Sequence, residues 1–248
     1  LMMAAAVAEG RTVIHNAARE PEIVDLQRML VAMGARVRGA GSYSIIIDGV
    51  EELHGAEHTI IPDRIEAGTF LLAGAITGGE VCVTGVVPEH LEAVLAKLRE
   101  AGASIRREAD RLTLRQAGRP RATNIKTQPY PGFPTDLQNP FLALMSIAEG
   151  TSVITETVWG NRFRVVEELR RMGADVQTED RVAIIRGVPQ LSGAEVQSAE
   201  DLRGGAALVL AALAATGESR VLGARYIDRG YAHLAKKLRL LGADIERD

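Results

Sequence analysis

The sequence predicts an α/β protein assembled from tandem units of about 70 residues. Three observations predict it. A helix that stops at Gly-Ala and runs into an apolar-polar alternation recurs four times. Its glycines are Gly34, Gly102, Gly173 and Gly242, at spacings of 68, 71 and 69 residues. Segments apolar on nearly every side alternate with these, and each ends near a glycine and enters a β-branched stretch. Finally, an aspartate precedes the buried helix in each of the three later units, at Asp63, Asp136 and Asp201. Self-similarity at a fixed period is the mark of a repeated supersecondary unit.

Each element follows in chain order. Met2 to Val13 is a buried helix running into a strand, because its apolar residues cover most of the helix surface. Leu26 to Val37 is amphipathic, and Gly34 is the residue that lets it end in the left-handed conformation. Alternation from Gly39 to Ile47 reads as a hairpin. Asp63 can cap the next helix by accepting from free backbone N–H groups. Thr69 to Val81 then repeats the buried helix and strand, Leu95 to Ile105 the amphipathic helix, and Arg106 to Leu114 the hairpin. Asp136, Phe141 to Val153 and Val166 to Val176 form the next unit. Asp201, Leu208 to Val221 and Leu234 to Ile245 form the last, which stops before its hairpin is finished. Residues 1–61 are most of a further unit, and 62–248 hold three. The chain opens at Leu1 within a predicted buried helix, which reads as part of a larger protein.

Composition narrows the function. With 46% hydrophobic and 25% charged residues, the chain has enough apolar surface for a core. A net charge of −3 gives no basic footprint for nucleic acid, although a local site for a small anion is compatible with it. Aromatic residues at 4% argue against a stacking surface. The longest apolar run, Ala206 to Ala215, is about half a membrane span, so no membrane partner is expected. One cysteine excludes an internal disulfide and a cysteine-built zinc site, and it suits the cytoplasm. Cys82 lies between Val81 and Val83 and reads as a small core residue. His54 and His58 are four apart but lack a third ligand, so no metal and no cofactor is expected. Trp159 reads as a packing residue.

Three segments are unusual for packing alone. Pro129 to Asp136 holds three prolines and a glycine and presents Asp136 at a helix start, as a rigidly held general base or as a cap. Asp201-Leu202-Arg203-Gly204-Gly205 puts two glycines in a first helical turn. That suits access of an anion to the helix N-terminus beside Arg203, or close packing against a neighbour. In Tyr226 to Tyr231, Asp228 is placed to cap a following helix with Arg229 in its first turn. A cation is unfavourable there unless an anion binds, the plain alternative being a surface arginine.

Together, Asn16 to Asp25, Pro62 to Glu66, Pro131 to Asp136, Thr155-Glu156-Thr157, Asn161-Arg162-Phe163, Asp201-Leu202-Arg203 and Ile227 to Tyr231 resemble the enolpyruvyl transferases, in particular the UDP-N-acetylglucosamine 1-carboxyvinyltransferases. The resemblance runs in unbroken order from Met2 to the C-terminus. It implies inside-out α/β barrels of three units each, with residues 1–61 the end of a first, catalytic domain and 62–248 most of the second. It implies transfer of the enolpyruvyl group of phosphoenolpyruvate to the 3-hydroxyl of UDP-N-acetylglucosamine, the step that opens peptidoglycan synthesis. It makes Asp136 the carboxylate facing that hydroxyl and places the Val158 backbone against the nucleotide sugar. Arg203 and Arg229, with Asp201 beside them, would hold phosphoenolpyruvate. The family's Lys-Asn pair and its cysteine loop belong before Leu1, so the chain by itself carries about half an active site and is expected to be inactive alone. Its partner would be the N-terminal part of the same protein. The alternatives are the sister transferase acting on shikimate 3-phosphate and a non-catalytic repeat domain.

Overall fold

A computed structural model describes residues 1–160, 162–198 and 200–247. Asn161, one residue of the strings above, lies outside them. The chain divides into two compact units, Leu1–Pro62 with Pro129–Pro131, and Asp63–Gln128 with Gly132–Asp248.

The first unit carries α1 (Met2–Ala6), β1 (Arg11–His15), α2 (Pro21–Ala32), β2 (Arg36–Arg38) and β3 (Ser44–Asp48). The strands pair antiparallel in the order β1-β3-β2. Ile45 and Ile47 alternate inward from β3 and bury against Met2, Ala6, Leu30 and Val37. His58 Nε2 lies 3.1 Å from the Asp25 carboxylate, which removes it from the His54–His58 pairing considered from spacing.

The second unit repeats that plan twice, and a third time in part. It holds α3 (Arg64–Ile76), β4 (Glu80–Thr84), α4 (Glu92–Glu100), β5 (Ser104–Arg107), β6 (Arg111–Arg115) and β7 (Ile125–Lys126). It continues through α5 (Gln138–Ser146), β8 (Thr151–Thr155), α6 (Val165–Arg171), β9 (Asp175–Glu179) and β10 (Val182–Arg186). Last come β11 (Leu191–Ser192), β12 (Glu195–Gln197), α7 (Leu202–Ala214), β13 (Ala215–Thr216), β14 (Arg220–Leu222) and α8 (Leu234–Leu240). The order β4-β6-β5 reproduces β1-β3-β2, and β8-β10-β9 does so within a four-stranded sheet whose edge strand β7 pairs parallel with β8. The third repeat has only the short parallel pairs β11-β13 and β12-β14. The apolar helices α3, α5 and α7 pack on one another at the centre, and the sheets lie outside them. Among the described residues the sheets stay separate and close no barrel.

The predicted glycine stops hold at every site. Gly34, Gly102, Gly173 and Gly242 have φ between 88° and 103°. In each case the alanine after the glycine donates its N–H to the carbonyl five residues back, as Ala174 does to Leu169 and Ala243 to Leu238. This bond, with the glycine's own to the carbonyl three residues back, satisfies helix-end carbonyls in a Schellman arrangement.

Several expectations are corrected. Ala243 to Arg247 form no strand, because no neighbouring strand among the described residues pairs with them; the Ile245 carbonyl instead accepts from the Arg239 guanidinium. Cys82 is exposed, since in β4 it is Val81 that turns inward and the pleat sends the next residue out. Trp159 is 59% exposed rather than packed. Asp228 does not cap α8. It and Arg229 lie in a 3-10 turn, Ala224–Arg229, that precedes the helix by several residues, and the Asp228 carboxylate pairs with Arg247.

Candidate active site

The site is built where α3, α5 and α7 begin. Asp63 caps α3, accepting from the N–H groups of Ile65 at 2.7 Å and Glu66 at 3.1 Å. Asp201 caps α7 through the Arg203 N–H at 2.9 Å. Asp136 breaks the pattern: neither the 3-10 turn Thr135–Leu137 nor α5 receives a side-chain cap. Three residues that match in the repeats thus do two different jobs, and the capping reading of Asp136 is overturned.

The Asp136 carboxylate is spanned by two guanidiniums. Arg162 donates to Oδ1 at 2.7 Å, and Arg203 to Oδ2 at 3.1 Å. The two arginine side chains are only 12% and 13% exposed, while Asp136 keeps 40% of its side chain open to solvent. Arg162 also reaches the Thr135 carbonyl, 3.3 Å away. Each arginine retains a buried donor with no hydrogen-bond partner among the described residues, Nε of Arg162 and Nη1 of Arg203.

Arg203 sits over the ring of fully buried Tyr231, 5.2 Å from its centroid. The Tyr231 hydroxyl meets Thr69 Oγ1 at 2.9 Å, and Thr69 donates back to the Ile65 carbonyl in the first turn of α3. Burial works against the Arg203 charge, but Tyr231 and Asp136 outweigh it and hold its pKa above the ordinary value. Burial likewise pushes the Tyr231 phenol up. Asn139 in α5 donates to Asp201 Oδ2 at 3.3 Å. The starts of the three central helices are therefore tied together, with their positive dipole ends facing one region.

Gly204 and Gly205 are explained by packing. A β-carbon on Gly205 would lie 2.7 Å from Ile227 Cγ1, and one on Gly204 would lie 2.9 Å from Asp201 Oδ2. Arg229 is exposed and two residues before Tyr231. A β-carbon on Gly230 would stand 3.5 Å from Arg203 Nη1, so the backbone after Arg229 runs beside Arg203. Asp136, Asp201 and Arg203 are thus brought together, and the backbone brings Arg229 close to them. Val158 makes contact with Glu156. Its N–H donates to Glu156 Oε1 at 2.8 Å.

Three residues in this region received no role from sequence: Arg162, Glu156 and Tyr231. All stand in the quoted strings, but only their tertiary contacts single them out. Glu156 is 1% exposed and accepts four hydrogen bonds. Burial raises its pKa, yet the donors Trp159, Thr127, Thr135 and Val158 together hold it below the usual carboxylate value. No cluster of three or more His, Cys, Asp or Glu among the described residues is placed to hold a metal ion.

The chain is 60% identical over 247 residues to UDP-N-acetylglucosamine 1-carboxyvinyltransferase 1 of Symbiobacterium thermophilum, covering 100% of the chain and 56% of that relative. It is 54% identical over 248 residues to UDP-N-acetylglucosamine 1-carboxyvinyltransferase 2 of Bacillus cereus, covering 100% of the chain and 58% of the relative. The chain thus spans less than two thirds of the length of these relatives. The crystal structure of the enolpyruvyl transferase NikO from Streptomyces tendae superposes with a TM-score of 0.87 at 30% identity, over 98% of this chain and 58% of that one. Residues 1–238 match the family described as EPSP synthase (3-phosphoshikimate 1-carboxyvinyltransferase), and the chain belongs to that family.

Proposed function

We propose that the whole protein transfers the enolpyruvyl group of phosphoenolpyruvate to the 3-hydroxyl of UDP-N-acetylglucosamine and releases phosphate. In the transfer a bond forms between the sugar 3-oxygen and the enolpyruvyl carbon, the bond from that carbon to the phosphate oxygen breaks, and the hydroxyl proton leaves through a carboxylate. The observation that carries this reading is Asp136: it caps nothing, faces solvent, and is spanned by two arginines at the starts of three buried helices. It is the carboxylate for the hydroxyl proton, as base or relay. Arg203 and Arg229, with Asp201 beside them, hold the phosphoenolpyruvate anion, and Nη1 of Arg203, which has no hydrogen-bond partner among the described residues, supplies a charge-assisted donor. The Val158 carbonyl meets the nucleotide sugar. Residues 1–61 belong to one domain of the whole protein and 62–248 to the other.

The UDP-sugar reading is preferred over the shikimate one because the relatives at 54–60% identity carry the UDP-sugar name. It makes the protein a cytoplasmic enzyme opening peptidoglycan synthesis. No helix among the described residues is long and apolar enough to cross a membrane. The test is phosphate release from phosphoenolpyruvate by the whole protein, with UDP-N-acetylglucosamine or shikimate 3-phosphate as acceptor. Turnover with the UDP-sugar is expected. Arg203→Lys keeps the charge but loses the planar fork and should raise the KM for phosphoenolpyruvate more than that for the nucleotide sugar. Turnover only with shikimate 3-phosphate, or with neither acceptor, refutes the reading.

A further inference from the structure

Glu156 follows the last residue of β8 and is buried, and its hydrogen-bond donors among the described residues are all neutral. Oε1 accepts from Thr127 Oγ1 at 2.7 Å, the Val158 N–H at 2.8 Å and the Trp159 N–H at 2.9 Å. Oε2 accepts from Thr135 Oγ1 at 2.8 Å. Thr127 is itself locked, because its hydroxyl also accepts from the Thr157 N–H at 2.9 Å. One carboxylate therefore ties its own turn after β8 to the end of β7 and to the turn before α5, 29 and 21 residues away. Two of them carry groups of the proposed site. Thr135 is the residue before Asp136, and the Val158–Trp159 turn carries the carbonyl assigned to the nucleotide sugar. Arg162 holds the Thr135 carbonyl from the other side.

We propose that Glu156 is a positioning residue, setting the distance and orientation between the Asp136 carboxylate and the Val158 carbonyl through the Thr135 hydroxyl and the 158–159 amides. The proposal rests on the transferase reading above. Its form predicts an unusual tolerance. All four donors are uncharged, so a glutamine can place its oxygen at the Oε1 position and donate its amide to Thr135 Oγ1, whose hydroxyl turns outward. The geometry survives loss of the charge. Loss of the single Thr135 hydroxyl frees the Asp136 turn and leaves the 158–159 turn in place.

The experiment is steady-state kinetics of phosphate release by the whole protein, corrected for folded fraction, for wild type, Thr135→Val, Thr135→Ser and Glu156→Gln. Misplacement of a reacting group by about 1 Å costs up to about 100-fold in rate. Thr135→Val is expected to lower kcat by about tenfold or more with little change in nucleotide-sugar KM, while Thr135→Ser and Glu156→Gln stay near wild type. A smaller drop in Thr135→Val overturns the proposal, because a purely structural glutamate changes stability and leaves the kinetics of the folded fraction alone. So does a loss in Glu156→Gln equal to that in Thr135→Val, which would make charge and not position the contribution. If Thr135→Val does not fold, a kcat for Thr135→Ser or Glu156→Gln about tenfold or more below wild type overturns it, and near-normal values support it. Failure of wild type to turn over overturns the transferase reading and this proposal together; an active wild type with indifferent variants overturns this one alone.

Discussion

Substituting the matched aspartates separates a helix cap from an ion-pair partner. Asp63→Ala removes a carboxylate that accepts from two backbone N–H groups. Loss of such a cap costs about 1 kcal/mol, and Asn caps about as well as Asp, so Asp63→Asn should recover nearly all of it. In a chain of this length about 1 kcal/mol shifts Tm by about 2–4 °C. Asp136 makes no cap bond, so Asn restores no cap there and keeps only one neutral acceptor for the two arginines. What Asp136 loses is charge, opposite two guanidiniums that are largely buried. Because its own side chain is 40% exposed, solvent screens both pairs, and their joint loss is about 1 to 2 kcal/mol. Asp136→Ala and Asp136→Asn should therefore both melt below wild type, while Asp63→Asn melts close to wild type and above Asp63→Ala. In the whole protein, Asp136→Asn should also lose about 10²- to 10⁴-fold in turnover, and Asp63→Asn little. Thermal unfolding followed by circular dichroism, paired with the phosphate assay, measures both. Recovery of stability by Asn at position 136, with near-normal turnover, would refute the assignment and make Asp136 a cap.

Gly173→Ala and Gly205→Ala should both destabilise, for different reasons, in urea titrations. Gly173 has open space around it but φ of +88°, so the cost is that of left-handed backbone, about 1–2 kcal/mol; Gly205 has ordinary backbone but Ile227 Cγ1 2.7 Å from the new methyl, so the added cost of Gly205→Ala should shrink in an Ile227→Ala background, which removes that atom, while the cost of Gly173→Ala should not. The lowered pKa of Glu156 means that the unfolded chain binds the proton first as pH falls. The stabilisation it provides should be complete above about pH 5, past the ordinary glutamate value of about 4.3, and fade as pH drops through the folded-state pKa. The stability gap between wild type and Glu156→Gln should therefore shift against wild type across that range, and a pH-independent gap would count against it. Cys82 should react with a thiol reagent in the native protein at the rate of an open thiol, and a requirement for denaturant would contradict its outward placement.

Much of the fold was legible because its signals are local. A Gly-Ala stop is written in two residues, and all four positions adopt the left-handed turn expected of them. The near-continuous apolar character of Thr69 to Ile76, Phe141 to Met145 and Ala206 to Leu210 announces helices buried on all sides, and these became the centre of the second unit. The caps at Asp63 and Asp201 are contacts across two or three residues, which sequence alone can specify. The inward or outward sense of a residue in a short strand is less secure: Val81, Cys82 and Val83 are all apolar, and only pairing with β6 fixes which of them faces the core.

The site was legible as a list of residues and not as an arrangement. The proline-rich loop before Asp136 sets it apart from Asp63 and Asp201 in sequence, but it leaves the choice between base and cap open. The difference arises from Arg162 and Arg203, 26 and 67 residues away, whose guanidiniums meet its carboxylate. Tyr231 touches Thr69 across 162 residues, and Glu156 gathers Thr127, Thr135 and the 158–159 turn. The sequence by itself determined the repeating units, their helix stops and two of the three caps, since each depends on backbone conformation and neighbours within one or two helical turns. Tertiary structure decided which aspartate carries opposed charges, which glutamate is buried and which arginines keep a free donor, because burial and ion pairing depend on which segments the packing of α3, α5 and α7 brings together.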